Sequence, residues 1–242
     1  MKRCIEPEWL DALPADDPRA ARSRRDLRRV NWWMGHPGTM TRALRTAWPG
    51  EAPARLVDLG AGDGDFCSQV AQRLSPAWRN VTAVLVDQQS TVNGQATRRL
   101  ADCGWRLEVV AADAFQWLQQ ADRFGPAVFV ANLFLHHFSS EQLAGLFQAV
   151  AARGALLVAC EPRRGRWPLA CAGLLGLIGC NAVTRHDAVV SVRAGFTGRE
   201  LSALWPAPGW QLREDRAGLF SHLFVARRVD RSSHLPPVGP RV

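Results

Sequence analysis

Through the middle of the chain, short apolar runs alternate with stretches whose apolar positions recur every three or four residues. Residues 55–59 form one such run, closed by the turn Gly60-Ala61-Gly62-Asp63-Gly64, and 66–74 follow with helical spacing. This predicts strand, glycine turn and helix. Further strands are predicted over 81–86 (ending at Asp87), 105–111, 127–131 and 155–160, with helices over 90–101, 114–120 and 140–152 between them. Ser139 and Gln142 are spaced as a capping box for the last of these helices. Continuously apolar strands between amphipathic helices imply a parallel sheet covered on both faces.

After Glu161 the pattern changes. Residues 163–166 are basic, 167–180 form an apolar run read as a helix, and a polar stretch over 184–194 leads to Thr197 and Glu200, a second capping box expected to open a helix reaching Trp205. Strands over 210–215 and 219–227 are expected to pair as an antiparallel hairpin through Gly218, and the Pro-rich tail from Asp230 reads as disordered. The expected organisation is a helical cap over 1–50, an α/β domain over 51–228 with an apolar lid at about 162–195, and a tail over 229–242.

Composition narrows the class of protein. A chain of 242 residues with 47% hydrophobic residues can bury its own core as one domain. The apolar window 167–180 contains Pro168 and is shorter than the roughly 20 residues a bilayer span needs. The N-terminus has no apolar signal region, and the six cysteines form no CxxC pair and no zinc-like spacing with histidine, so the expectation is a cytoplasmic protein without disulfides or metal. Of the 30 basic residues 29 are Arg, and the net charge of +8 is unevenly placed: residues 1–50 carry +4, 51–160 carry −2 and 161–242 carry +6.

That acidic middle bears on the glycine turn. In a doubly wound sheet, ligands sit beyond the carboxyl ends of the strands, and glycine lets the backbone approach them closely. A dinucleotide fingerprint needs Gly or Ala three residues beyond the second Gly, where this chain has Asp65. Asp58, Asp63 and Asp65 would also repel a pyrophosphate and attract a ligand with ammonium and sulfonium groups. Asp87 is placed to accept from two ribose hydroxyls, and Asp113 with Ala114 to border an adenine. A nucleoside with a cationic tail fits these residues.

The stretches LVDLGAGDG, VLVDQ, AADAF and NLFLHHF resemble the motifs of class I S-adenosylmethionine-dependent methyltransferases, over about residues 31–227. The resemblance implies a Rossmann-like α/β sheet of seven strands in the order 3-2-1-4-5-7-6, strand 7 antiparallel, with a helical N-terminal cap and a helical insert after strand 5. It implies that Asp58, Gly60, Gly62 and Asp63 hold the methionine part, Asp87 the ribose, Asp113 and Ala114 the adenine, and Asn132 the sulfonium side through its backbone, with Ala61, Gln88 and Leu133 also in the cofactor site. More narrowly, DLRRVNWWMG and TRHDAVVSVRAGFT look like a bacterial subgroup acting on small molecules of polyketide and quinone pathways, which places Asn31 over the cofactor.

Methyl transfer from a sulfonium is an in-line displacement, and a base is needed only where the acceptor must lose a proton. His136 and His137, directly after strand four, are the first candidates; the bland alternative is that they close the strand. His186 beside Asp187 is the reserve. Trp32, Trp33, Arg163 and Trp167 are candidate substrate contacts, and the basic 163–166 segment could receive an anionic group or lie against lipid headgroups, leaving a peripheral membrane contact open, as well as a dimer seam. The favoured acceptor is a hydrophobic hydroxylated aromatic or polyketide molecule methylated on oxygen. The alternatives are carbon methylation of a quinol-like ring, a nucleic-acid methyltransferase, and a non-catalytic binding protein. A pI of 10.3 favours nucleic acid, but the Asn-Pro-Pro-aromatic motif of nucleobase amino methyltransferases is absent, and Asn132 is followed by Leu133.

Overall fold

Side-chain alternation along parallel strands divides the core into two layers. The computed structural model describes residues 1–14, 16–89, 91–120, 127–206 and 208–229, apart from the Trp32 side chain. Its sheet contains β1 (Arg55–Leu59), β2 (Thr82–Asp87), β3 (Arg106–Ala111), β4 (Ala127–Asn132), β5 (Gly154–Pro162), β6 (Trp210–Ala217) and β7 (Ser221–Arg228). The order is β3-β2-β1-β4-β5-β7-β6, as the sequence pattern and the resemblance imply. The first five strands run parallel, and β7 pairs antiparallel with both β5 and β6.

Leu56, Leu85, Val130 and Val158 point into the layer beneath α3 (His36–Ala47), α4 (Asp65–Leu74) and α5 (Gly94–Asp102). Val57, Val86, Phe129 and Leu157 point into the other, beneath α6 (Ala114–Gln120) and α7 (Ser140–Arg153). Asp58 shares the parity of Leu56, so the strand carries a carboxylate into the apolar layer next to Cys67, and it is 1% exposed. The capping box at Ser139 and Gln142 is formed in both directions.

Over the carboxyl ends of the strands lie α1 (Trp9–Ala12), α2 (Pro18–Met34), α8 (Arg166–Gly173) and α9 (Ala182–Ala194). Here the structure departs from the pattern reading. The apolar run over 167–180 is not one helix: α8 stops at Gly173, a 3-10 turn spans Leu175–Ile178, and Gly179 at φ +82° reverses the chain. The polar stretch that follows is helix α9, whose first turn is capped by the Asn181 side chain accepting from Thr184 N. The helix predicted from residue 90 begins at Gly94, because Asn93 caps it by accepting from Gln95 N and Ala96 N; residue 90 itself is outside the described residues.

Only half of the second capping box forms. Thr197 N donates to Glu200 Oε2, but Glu200 is also drawn to Arg164, and Leu201 N and Ser202 N donate to Glu214. A 3-10 turn over Ser202–Leu204 stands where an α-helix is predicted. The tail expected to be disordered lies, from residue 230 on, outside the described residues.

Candidate functional site

The turn after β1 is built on left-handed glycines. Gly60, Gly62 and Gly64 have φ of +74°, +54° and +75°, a region that costs other residues about 1–2 kcal/mol. A Cβ at Gly60 would stand 2.2 Å from the Phe134 ring, whereas a Cβ at Gly62 would meet nothing within 4 Å and project into open space. Gly62 N donates to Asp87 Oδ2 at 2.8 Å, and Gln89 N donates to Asp87 Oδ1 at 2.8 Å, so the acid that ends β2 is fixed by backbone. Asp113 Oδ1 accepts from Phe115 N and Gln116 N at the start of α6, and Gln88 Nε2 donates to Asp113 Oδ2 at 2.8 Å.

Two adjoining cavities open over this turn, of about 300 and 390 Å³, in the range of small-molecule sites. They share Leu10, Asp11, Arg24, Gly60, Gly62, Thr91, Leu133 and His137 in their walls. Asp58 Oδ2 is buried on the wall of the first and has no hydrogen-bond partner; Asn31 Oδ1 is in the same state. Burial, with the charge of Asp87 as a smaller cause, pushes the Asp58 carboxyl up to about 8.

Beyond β4 the chain turns through Leu133, a non-glycine residue at φ +54°. Backbone held in this region is strained and is maintained by its surroundings. Glu161 at the end of β5 supplies them: Oε1 accepts from Phe134 N (3.0 Å) and Leu135 N (2.9 Å), and Oε2 from His136 N (3.3 Å). His136 Nδ1 donates to Glu161 Oε2 at 2.8 Å and Nε2 donates to Glu8 Oε1 at 3.3 Å. Burial opposes a charge on this ring, but the two carboxylates outweigh it and raise His136 to about 9. An imidazolium donating from both nitrogens has no lone pair with which to take a proton.

His137 is placed differently. It lines both cavities, its side chain is 27% exposed, and its nearest carboxylate, Asp11, is 3.7 Å away. Burial and then the neighbouring His136 charge hold it below the ordinary histidine value, so it is a neutral base at pH 7. Glu8, His136 and His137 bring one ligand-type atom each to within 4.8 Å of one another, and in this structure a hydrogen bond between Glu8 and His136 occupies that space.

Residues 56–153 match the model of the methyltransferase domain family. The fold is similar to that of the mitomycin 7-O-methyltransferase MmcR, at TM-score 0.58 and 18% identity over 91% of this chain and 60% of that one. The chain thus spans three fifths of that protein's length. It is also similar to the plantazolicin methyltransferase BpumL in complex with SAH (TM-score 0.60, 11% identity, 88% and 91% coverage). A third likeness is to the magnesium protoporphyrin IX methyltransferase ChlM of Synechocystis PCC 6803 with bound SAM (0.52, 10%, 91% and 88%). A search of curated proteins found no match. Residues 56–153 are thus similar to a methyltransferase domain, and the seven-stranded fold is the one these solved methyltransferases share.

The two cavities gather the residues expected to hold the cofactor. Asn31, Asp58, Gly60, Ala61, Gly62, Asp63, Asn132 and Leu133 line the first, and Asp87, Gln88, Asp113 and Ala114 the second. The orphaned Asp58 oxygen and the open side of Gly62 fit a bound group with a cationic end. Gly60→Ala is expected to weaken cofactor binding at least tenfold, because the methyl group must displace Phe134 and the αL backbone disfavours it; titration with S-adenosylhomocysteine (SAH) measures this.

The other candidates are not brought to these cavities. His186 stacks on Trp9 with ring centroids 3.9 Å apart and shares Asp187 with the backbone of Trp9 and Leu10. It anchors α1 and lines neither cavity. Arg163 donates to Leu219 O, and Trp33 and Trp167 are 59% and 62% exposed, all away from the cavity walls. The Trp32 side chain is outside the described residues.

Sequence reasoning passed over Glu161, although a carboxylate closing an apolar strand, as Asp87 does, was a usable signal. It also missed Glu8, which lies 128 residues from its partner and carries no local signal. His36 was missed too: buried and held down to about 4, it donates from Nδ1 to Asn132 Oδ1 (2.8 Å) and accepts at Nε2 from Ser221 Oγ (2.6 Å).

Proposed function

We propose that the protein methylates an oxygen of an apolar, hydroxylated small molecule with S-adenosylmethionine as methyl donor, and that His137 is the general base. The observation that carries this is a neutral, partly exposed imidazole on the wall shared by two cavities, one of them holding the orphaned Asp58 carboxyl. The mitomycin enzyme, an O-methyltransferase by its name, supports the small-molecule reading.

When bound, S-adenosylmethionine supplies an electrophilic methyl group on a sulfonium. Asp58 would receive the ammonium of its methionine part. The remaining lone pairs of Asp87, whose two oxygens are already oriented by Gly62 and Gln89, would accept from the ribose hydroxyls. Gln88, Asp113 and Ala114 would border the adenine. His36 fixes the side chain of Asn132 at the sulfonium end.

On the acceptor side His137 would take the hydroxyl proton. His136, charged between Glu8 and Glu161, fixes the turn that carries His137 and keeps its neighbour neutral. Leu10 and Leu27, from the N-terminal cap, give that end of the cavity an apolar wall.

The test is transfer of a labelled methyl group to the small molecules that co-purify with the protein, followed by product NMR. A labelled methoxy carbon is expected. A methyl on ring carbon would favour carbon methylation, and label in nucleic acid would overturn the acceptor class.

A further inference from the structure

The apolar insert after β5 leaves part of its surface in water. Trp167 in the first turn of α8 and Leu174, the residue that ends the helix two turns later, are 62% and 57% exposed, and Leu177 in the following 3-10 turn is 83% exposed. No charged residue lies between Arg166 and Arg185. The edges of this face are cationic. Arg185 packs on Gly176, and from α2 Arg22 and Arg29 reach Gly179 O and Ile178 O at 3.4 Å.

Helical spacing places Trp33, 59% exposed, on the same side of α2 as Arg29. Of the nearby carboxylates, Asp26 is buried, accepts from Asn181 N and lies 3.7 Å from Arg29, Asp187 is buried and holds the backbone of Trp9 and Leu10, and Asp17 at the margin is paired with Arg19 at 2.8 Å.

An apolar tip ringed by guanidinium groups, with an indole at its margin, complements the boundary between anionic headgroups and acyl chains. A second copy of the chain fits poorly, since a two-fold contact here would bring like-charged arginines together. We propose that this face docks on an anionic phospholipid bilayer, with Trp167, Leu174 and Leu177 in the headgroup boundary and Arg22, Arg29 and Arg185 toward the phosphates. Helices α2 and α9, which flank the face, also supply Leu27 and Ser191 to the inner cavity wall. Docking would therefore hold the acceptor cavity close to a membrane-dissolved acceptor. This extends the reading of an apolar acceptor, but its test needs no acceptor and no turnover.

The experiment is sedimentation of the full chain with vesicles of phosphatidylcholine alone and with about one third phosphatidylglycerol, at low and high salt. Wild type is expected to bind the anionic vesicles and to leave them at high salt. Leu174→Asp with Leu177→Asp, at exposed positions, is expected to reduce binding at least tenfold without changing the melting temperature. Arg22→Gln should reduce it about fivefold. No sedimentation of the wild type, or equal sedimentation of wild type and the double variant, overturns the proposal. Concentration-dependent dimerisation that the double variant abolishes, with no vesicle binding, would assign the face to a second copy and also overturn it.

Discussion

His137→Ala is expected to lower kcat by about 10²–10⁴, the range for loss of a general base, while leaving SAH affinity unchanged. The acting form is the neutral imidazole, so turnover should be level above neutral pH and fall as acid protonates His137. Because burial and the His136 charge depress its pKa, that fall should come below the ordinary histidine value. The ring of His136 is centred 4.2 Å from that of His137. Replacing His136 by Gln removes the neighbouring cation and should move the acid limb to higher pH, an effect that a purely structural role would not produce. Full turnover of His137→Ala from pH 6 to 9 would show that the acceptor needs no base, or finds another.

Asp58→Asn is expected to weaken SAH binding by about tenfold to a hundredfold, the cost of losing a charged hydrogen bond in a buried place. It should also abolish a proton linkage. Asp58 is held at about 8 in the protein without ligand, chiefly by burial and then by Asp87, so at pH 7 its carboxyl is protonated. An ammonium brought against it favours the ionised form, and close to one proton should leave for each ligand bound. Release should fade as pH rises through 8, where the carboxyl is already ionised. Calorimetry at pH 7 in two buffers of different ionisation enthalpy reads this directly; heats that do not depend on the buffer would contradict it.

The strand order and the residues of the cavity wall were legible because both are local. Apolar runs of five or six residues separated by amphipathic helices define a parallel sheet, and ligand-facing residues of such a sheet lie within a few positions of each strand's carboxyl end. Asp58, Asp87, Asp113 and Asn132 all satisfy that rule. The acceptor side was less legible because long-range pairs build it. Glu8 reaches His136 across 128 positions of sequence, and Asp187 fastens α1 from within the insert.

His136 and His137 are adjacent in sequence and look equivalent there. Only the two carboxylates that converge on one of them separate a charged ring, donating from both nitrogens, from a neutral one. The insert was misread for a different reason: an apolar run says that side chains avoid water, not that one helix carries them, and Gly173 and Gly179 break it.

The claim on which the rest depends is that the acidic glycine turn holds S-adenosylmethionine. Titration of SAH into the wild type and into Asp87→Ala tests it most directly. A single site per chain is expected in the wild type and at least a tenfold loss of affinity in the variant, since Asp87 both orients Gly62 and faces the cavity. Equal affinity in the two proteins would contradict it.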